Sequence, residues 1–224
     1  EHPDIAKFTF TGSTQVGKTL ISQCASTVKK VSMELGGNAP VIVYDDADIT
    51  KAAHNIVDLK YANSGQVCVS PNRCFVHESV YQQFIDTAKA HAQGIQLGVG
   101  RTEGRIMGPL SSEKERSSIL ARVQSAVAAG AKVELGGGIP DSHPDGYFMQ
   151  PTILSKVNLD MEIVSDEIFG PVLAVIPFSD QDDILALAND CEYGLSAYVY
   201  TTNLQRGLQA ASEIQAGSVC INEA

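Results

Sequence analysis

Ser64, Gly65, Gln66, Val67 and Cys68 set a cysteine behind a glycine turn and three residues ahead of Pro71, where the sequence otherwise reads as the end of a helix. A thiol released at such a turn can serve as a nucleophile, because a thiolate is strongly nucleophilic near neutral pH and its thioester is readily hydrolysed. Upstream by 34 residues, Met33, Glu34, Leu35, Gly36 and Gly37 put a carboxylate at a strand end beside two glycines, where a backbone can approach a ligand closely. A third run, Asp166, Glu167, Ile168, Phe169, Gly170 and Pro171, joins an acidic pair and an aromatic ring to a turn ahead of an apolar strand. Taken singly, these have plainer readings: a small buried hydrophobe, a solvated strand-end charge and a loop.

A competing motif lies near the N-terminus. Gly12, Gly17, Lys18 and Thr19 have the spacing of a nucleotide phosphate loop, between an expected strand and an expected helix. Asp45 and Asp46 after the apolar run 41–44 could pass for the metal-holding acidic strand of such a protein, so a nucleotide triphosphatase is a real rival. Against it, only a short strand–helix–strand piece separates the two elements, and the run from Glu34 to Gly37 is left unused. A Gly-Ser turn at a helix start also suits any phosphate, since free amides and the helix dipole converge there.

The elements around these runs alternate between apolar strands and amphipathic helices, the rhythm of an α/β protein with a mostly parallel sheet. Strands are expected at 8–11, 31–34, 41–44, 74–77, 132–135, 172–178, 197–200 and 218–221. Helices are expected at 16–28, from Ala47 and Asp48 to about 63, and at 80–92, 112–129, 182–189 and 204–214. Residues 136–146 are too rich in Gly and Pro to be regular. Asp45, Asp46 and Asp48 read as helix-start charges.

Composition excludes several classes. With 16 basic against 26 acidic residues the formal charge is −10, so a phosphate backbone has no broad electrostatic footing and nucleic acid is not an expected partner. No apolar run reaches the ~18 residues of a membrane span, and the N-terminus lacks the regions of a signal peptide. The five cysteines are odd in number and lack metal-type spacing, which points to a reducing compartment: the cytoplasm, or the mitochondrial matrix if a transit peptide was removed. Cys24, Cys74, Cys191 and Cys220 read as core packing. His2, His54, His77, His91 and His143 show no ligand spacing, so no metal is expected. A start at Glu1 directly before strand-like sequence suggests an excerpt of a longer protein.

The runs at 10–17, 33–37, 65–68, 108–110, 167–171, 193–197 and 217–222 together resemble the motifs of the NAD(P)-dependent aldehyde dehydrogenase superfamily, in family order and with its 34-residue gap between acid and thiol. The resemblance implies that Cys68 is the nucleophile and donates its backbone N–H to the oxyanion, and that Glu34 activates the hydrolytic water. It implies that NAD or NADP is held by Gly12, Ser13 and Gly17 near the pyrophosphate, Leu35 near the nicotinamide, and Glu167 on the nicotinamide ribose with Phe169 beside it. Lys18 and Thr19 become ordinary helix residues. Residues 1–36 would be the last strand–helix–strand of a Rossmann-like cofactor domain and 37–224 most of the catalytic domain, truncated before an oligomerisation arm. The isolated chain is then expected to be inactive and the whole protein a homo-oligomer acting on a small aldehyde. The runs 31–40 and 219–223 look most like the succinate-semialdehyde dehydrogenase branch, but that branch places an arginine six residues before the nucleophile, where this chain has Ala62. Another small aldehyde therefore stays open as substrate, and so does a catalytically silent relative, although Cys68, Glu34 and Glu167 occur together.

Overall fold

The computed structural model describes residues 2–101, 103–104 and 106–224; Glu1, where the expected cofactor-domain remnant begins, lies outside them. The chain divides into two compact units, residues 1–37 and 38–224.

In the first unit β1 (Lys7–Thr11) and β2 (Lys30–Glu34) pair in parallel across α1 (Thr14–Ala25), with Thr11 opposite Glu34. The Gly12 amide donates to the Glu34 carbonyl at 3.0 Å, so the 12–13 turn and the Glu34 run share the carboxyl ends of two parallel strands. Ser13 caps α1, its Oγ accepting from the Val16 amide at 3.4 Å. The helix starts earlier than expected and ends at Ala25, because Val28 turns into the left-handed region at φ 50°.

The second unit runs β3 (Ala39–Val43), α2 (Ile49–Tyr61), β4 (Pro71–His77), α3 (Tyr81–Ala92), β5 (Gln96–Leu97), β6 (Ile106–Met107), α4 (Glu113–Ala128), β7 (Lys132–Leu135), β8 (Thr152–Ser155), α5 (Glu162–Ser165), β9 (Val172–Phe178), α6 (Ile184–Asn189), β10 (Ser196–Tyr200), α7 (Leu204–Glu213) and β11 (Ser218–Ile221). Seven strands form one sheet in the order β11-β10-β3-β4-β9-β8-β7, parallel except for the edge strand β7. The inner strands are apolar on both faces, as a parallel sheet covered by helices requires. On one face Val41, Val43, Cys74, Val76, Leu173 and Val175 pack with α2 and α3; on the other Ile42, Phe75, Ala174, Ile176, Ala197 and Val199 pack with α4 to α7. Strand β8 is absent from the sequence expectation: four residues after a proline carry too short a pattern, and its neighbours β7 and β9 are what bury it. No described helix is long and apolar enough to cross a membrane.

Candidate active site

Helix α2 starts on Asp48, whose Oδ1 accepts from the Lys51 amide at 3.0 Å, and stops at Tyr61, short of the expected end near 63. It stops because the backbone changes hand. Asn63 (φ 47°), Ser64 (φ 58°) and Gly65 (φ 72°) are three successive residues in the left-handed region, which costs about 1–2 kcal/mol for each one that carries a Cβ. Strain of this kind persists only where surrounding structure over-determines it.

Three separate segments hold this loop. Ser64 Oγ donates to the Gly108 carbonyl at 2.7 Å, and Gln66 Oε1 accepts from the Ser111 amide at 3.0 Å, so residues 108–111 brace the thiol loop. Gly65 lies flat against the Gly170–Pro171 peptide, where any Cβ would overlap the Gly170 carbonyl. Beyond the thiol, the Ser70 amide closes a turn on the Val67 carbonyl at 3.0 Å, and Tyr198 Oη from β10 donates to the Val69 carbonyl at 2.8 Å. Burial raises the Tyr198 pKa, which keeps that phenol a donor. Cys68 emerges partly exposed between the two anchors, whereas Cys74, six residues on, is sealed in the core with its thiol pushed far up by burial.

The Glu167 segment reaches the same place from the other side of the chain. It follows α5, and the half-buried Glu167 sits between Asp166 and Ile168, both tied to Asn72 of β4. From α4, Arg122 donates to the Glu167 carbonyl at 2.6 Å and pairs with the Asp166 carboxylate at 3.2 Å. Phe169 stands at φ 50° and is 40 % exposed, a conformation and an exposure that packing alone does not demand of a phenylalanine. Within the second unit, then, Cys68, Glu167 and Phe169 are brought onto abutting loops through Gly65 and Gly170. Within the first, Gly12, Ser13, Glu34 and Leu35 gather at the ends of β1 and β2. Gly17 lies inside α1 against Leu35, where a Cβ would come to 2.9 Å from Leu35 Cδ1.

This geometry removes the phosphate-loop reading. Helix α1 already begins at Thr14, so Gly17, Lys18 and Thr19 are interior helical residues, Thr19 Oγ1 bonding back to the Gln15 carbonyl at 3.2 Å. Only Gly12 and Ser13 remain as loop, too few backbone amides to wrap a triphosphate. Asp45 and Asp46 also depart from expectation. They are not helix-start charges: Arg206 of α7 bonds Asp45 at 2.6 Å, and Asp46 accepts from Thr201 and Thr202 at 2.8–3.0 Å, tying β3 to β10. Of the four other cysteines Cys74 is buried in the core and the partly exposed Cys220 packs against it, while Cys24 and Cys191 are partly exposed, and Cys191 Sγ accepts from buried Arg73 at 3.1 Å. Among the described residues no three His, Cys, Asp or Glu side chains gather as a metal centre would need.

Sequence reasoning passes over four residues of this region. Lys60 continues the buried stripe of Ile49, Ala52, Ala53, Ile56 and Val57 on α2, and helical periodicity alone would have flagged a lysine there. It is 1 % exposed, and burial lowers its pKa to about 7 against the opposing pull of the Glu167 carboxylate. Asn38, just ahead of β3, and Asn72 of β4, each 2 % exposed, and Tyr198 of β10 at 4 % carry polar groups into an otherwise apolar interior.

The aldehyde dehydrogenase family model matches residues 1–224, the full length of the chain. The chain belongs to the aldehyde dehydrogenase family. Among curated aldehyde dehydrogenases it is 42 % identical over 221 residues to an NADP(+) succinate-semialdehyde dehydrogenase of Schizosaccharomyces pombe, covering 99 % of this chain and 45 % of that one. It is also 42 % identical over 224 residues to the 3-sulfolactaldehyde dehydrogenase of Pseudomonas putida, covering 100 % and 46 %. The crystal structure of succinate-semialdehyde dehydrogenase from Burkholderia pseudomallei superposes with a TM-score of 0.96 at 40 % identity, over 99 % of this chain and 46 % of that one. The chain therefore spans under half the length of the aldehyde dehydrogenases it matches.

Proposed function

We propose that this chain carries the thiol half of an NAD(P)-dependent aldehyde dehydrogenase, with Cys68 as nucleophile and Glu34 as the base that activates water. The observation that carries the reading is the strained loop at 63–65: three left-handed residues, braced from three segments, release Cys68 partly exposed against the turn that bears Glu167. A merely structural cysteine has no use for such a loop, as Cys74 shows by lying in a regular strand. In the proposed reaction the Cys68 thiolate adds to the aldehyde carbon, and its backbone N–H donates to the developing oxyanion. Loss of hydride leaves a thioester on Cys68, and Glu34 takes a proton from the water that hydrolyses it.

The residues present suit a nicotinamide dinucleotide. A twelve-residue helix opens on the Gly12–Ser13 turn, and its amino end favours a pyrophosphate; the Glu167 carboxylate can accept from ribose hydroxyls, with Leu35 and Phe169 as apolar neighbours for the nicotinamide. When bound, that cofactor accepts the hydride. Residues 1–36 serve in this reading as the end of the cofactor domain and 37–224 as the catalytic domain of a homo-oligomer working in a reducing compartment. The exposed Val16, Ile21, Val28 and Val31 of the first unit support it, since the remaining strands and helices of a Rossmann-like domain would cover them.

The substrate is a small aldehyde, with succinate semialdehyde the first to test. Ala62 is exposed at the end of α2 and supplies no guanidinium for a distal carboxylate, so a neutral aldehyde is the second reading. Two experiments on the full-length enzyme decide. Cys68→Ala abolishes aldehyde oxidation, while Glu34→Gln gives one burst of NAD(P)H and then a steady state lower by ~10²- to 10⁴-fold; a normal steady-state rate removes Glu34 from the mechanism. A retained anion site gives at least ~10-fold higher kcat/KM for succinate semialdehyde than for butyraldehyde, and equal values discard the semialdehyde.

A further inference from the structure

Glu167 lies in a stretch with little regular structure of its own. Helix α5 ends at Ser165, and the carbonyls of Val164, Ser165 and Asp166 have no following helical turn to donate to them. Two buried asparagines take over that role. Asn38 Nδ2 donates to the carbonyls of Val164 at 2.9 Å and Ser165 at 3.2 Å. Asn72 Nδ2 donates to Asn38 Oδ1 at 2.6 Å and to the Asp166 carbonyl at 3.0 Å, and Asn72 Oδ1 accepts from the Ile168 amide at 3.2 Å. Arg73 Nε, donating to the Asn38 carbonyl at 3.1 Å, fixes the backbone from which Asn38 reaches.

The pair is fully satisfied: both N–H groups of each amide are used, and each carbonyl oxygen accepts once. Only an amide can do this. Aspartate lacks the donors and would bury a charge, and serine is too short to span from β4 to two points of the loop. The Asn72 side chain grips the residue before Glu167 by its carbonyl and the residue after it by its amide, so one planar group sets the backbone on both sides of a single carboxylate. Asn72 also stands four residues after Cys68, on the strand that leaves the thiol loop. The thiol and the carboxylate thus take their positions from the same stretch of chain.

We propose that Asn72, seated by Asn38, is a positioning residue that aims the Glu167 carboxylate at the ribose hydroxyls of the nicotinamide nucleotide. The proposal rests on the assignment of Glu167 to that ribose. It acts on cofactor binding through Glu167 and leaves the intrinsic reactivity of Cys68 alone.

The test is a double-mutant cycle in the full-length enzyme, measuring the cofactor KM, kcat and the rate of Cys68 alkylation by iodoacetamide. Asn72→Ser is expected to raise the cofactor KM about tenfold, the effect of losing one or two hydrogen bonds, with Cys68 alkylation within about twofold of wild type. In a Glu167→Gln background the same substitution should add less than about twofold, because the group it positions is already disabled. If Asn72→Ser changes the KM equally in both backgrounds, or if alkylation falls in step with the KM, Asn72 is a structural residue and the proposal is overturned. If Glu167→Gln alone leaves the cofactor KM unchanged, the ribose assignment fails first and takes the proposal with it, an outcome distinct from additivity. Should Asn72→Ser not fold, Asn38→Ser leaves the two direct bonds of Asn72 to the loop; it should show the same dependence on Glu167 with a smaller rise in KM, and additivity there overturns the proposal equally.

Discussion

Replacing Gly65 by alanine tests the contact on which the site depends. The residue has φ 72°, so a Cβ there costs about 1–2 kcal/mol in backbone strain before any neighbour is considered. The neighbour is backbone: the new methyl would overlap the Gly170 carbonyl and come to 2.9 Å from the Pro171 nitrogen, where ordinary contact begins at 3.4 Å. The two loops must part by roughly 1 Å, and overpacking of that order adds about 1–3 kcal/mol, for a total of about 2–5 kcal/mol. Parting the loops also moves Cys68 relative to Glu167, and a displacement near 1 Å costs about 10²-fold in rate. Gly130→Ala is the control. It too has a positive φ, 108°, but nothing lies within 4 Å of its Cβ position, so it carries the strain without the clash. Urea unfolding and aldehyde-dependent NAD(P)H formation should be measured on both variants of the full-length enzyme. Gly65→Ala is expected to lose kcat by about 10²-fold while Gly130→Ala stays within about twofold of wild type. A Gly65→Ala enzyme with wild-type kcat would refute the idea that the glycine contact registers the thiol.

Lys60 should impose a pH dependence on stability. With a folded pKa near 7 the unfolded chain holds a proton that the folded chain lacks between pH 7 and the ordinary lysine range, so stability rises with pH across that window by at most about 1.4 kcal/mol per pH unit. Lys60→Met should flatten the rise in the urea midpoint between pH 7 and 9, and parallel curves for the two proteins would contradict the burial argument. Ala62→Arg tests the substrate side: an exposed position accepts the longer chain without repacking, and the new guanidinium should raise the preference for succinate semialdehyde over butyraldehyde about tenfold in kcat/KM. No change would place the carboxylate site elsewhere.

Read along the chain, periodicity was enough for the parallel sheet. Runs such as Val41, Ile42 and Val43 are apolar on both faces and alternate with amphipathic helices, and such a pattern reports burial by neighbours close in sequence. The thiol loop was legible too, because a glycine ahead of a cysteine and a proline behind it are local signs of a turn. The handedness of Asn63 and Ser64 was not, since neither residue type demands it: the braces at Gly108, Gly170 and Tyr198 impose it from far along the chain. Strand β8 likewise exists through its pairing with β7 and β9, and the roles of Asp46, Asn72 and Lys60 were set by partners 155, 94 and 107 residues away. A hydrophobic side chain needs only to be covered, and periodicity shows that it is. A buried amide or charge needs one particular partner in one direction, and which partner it meets is decided only when distant strands are laid side by side.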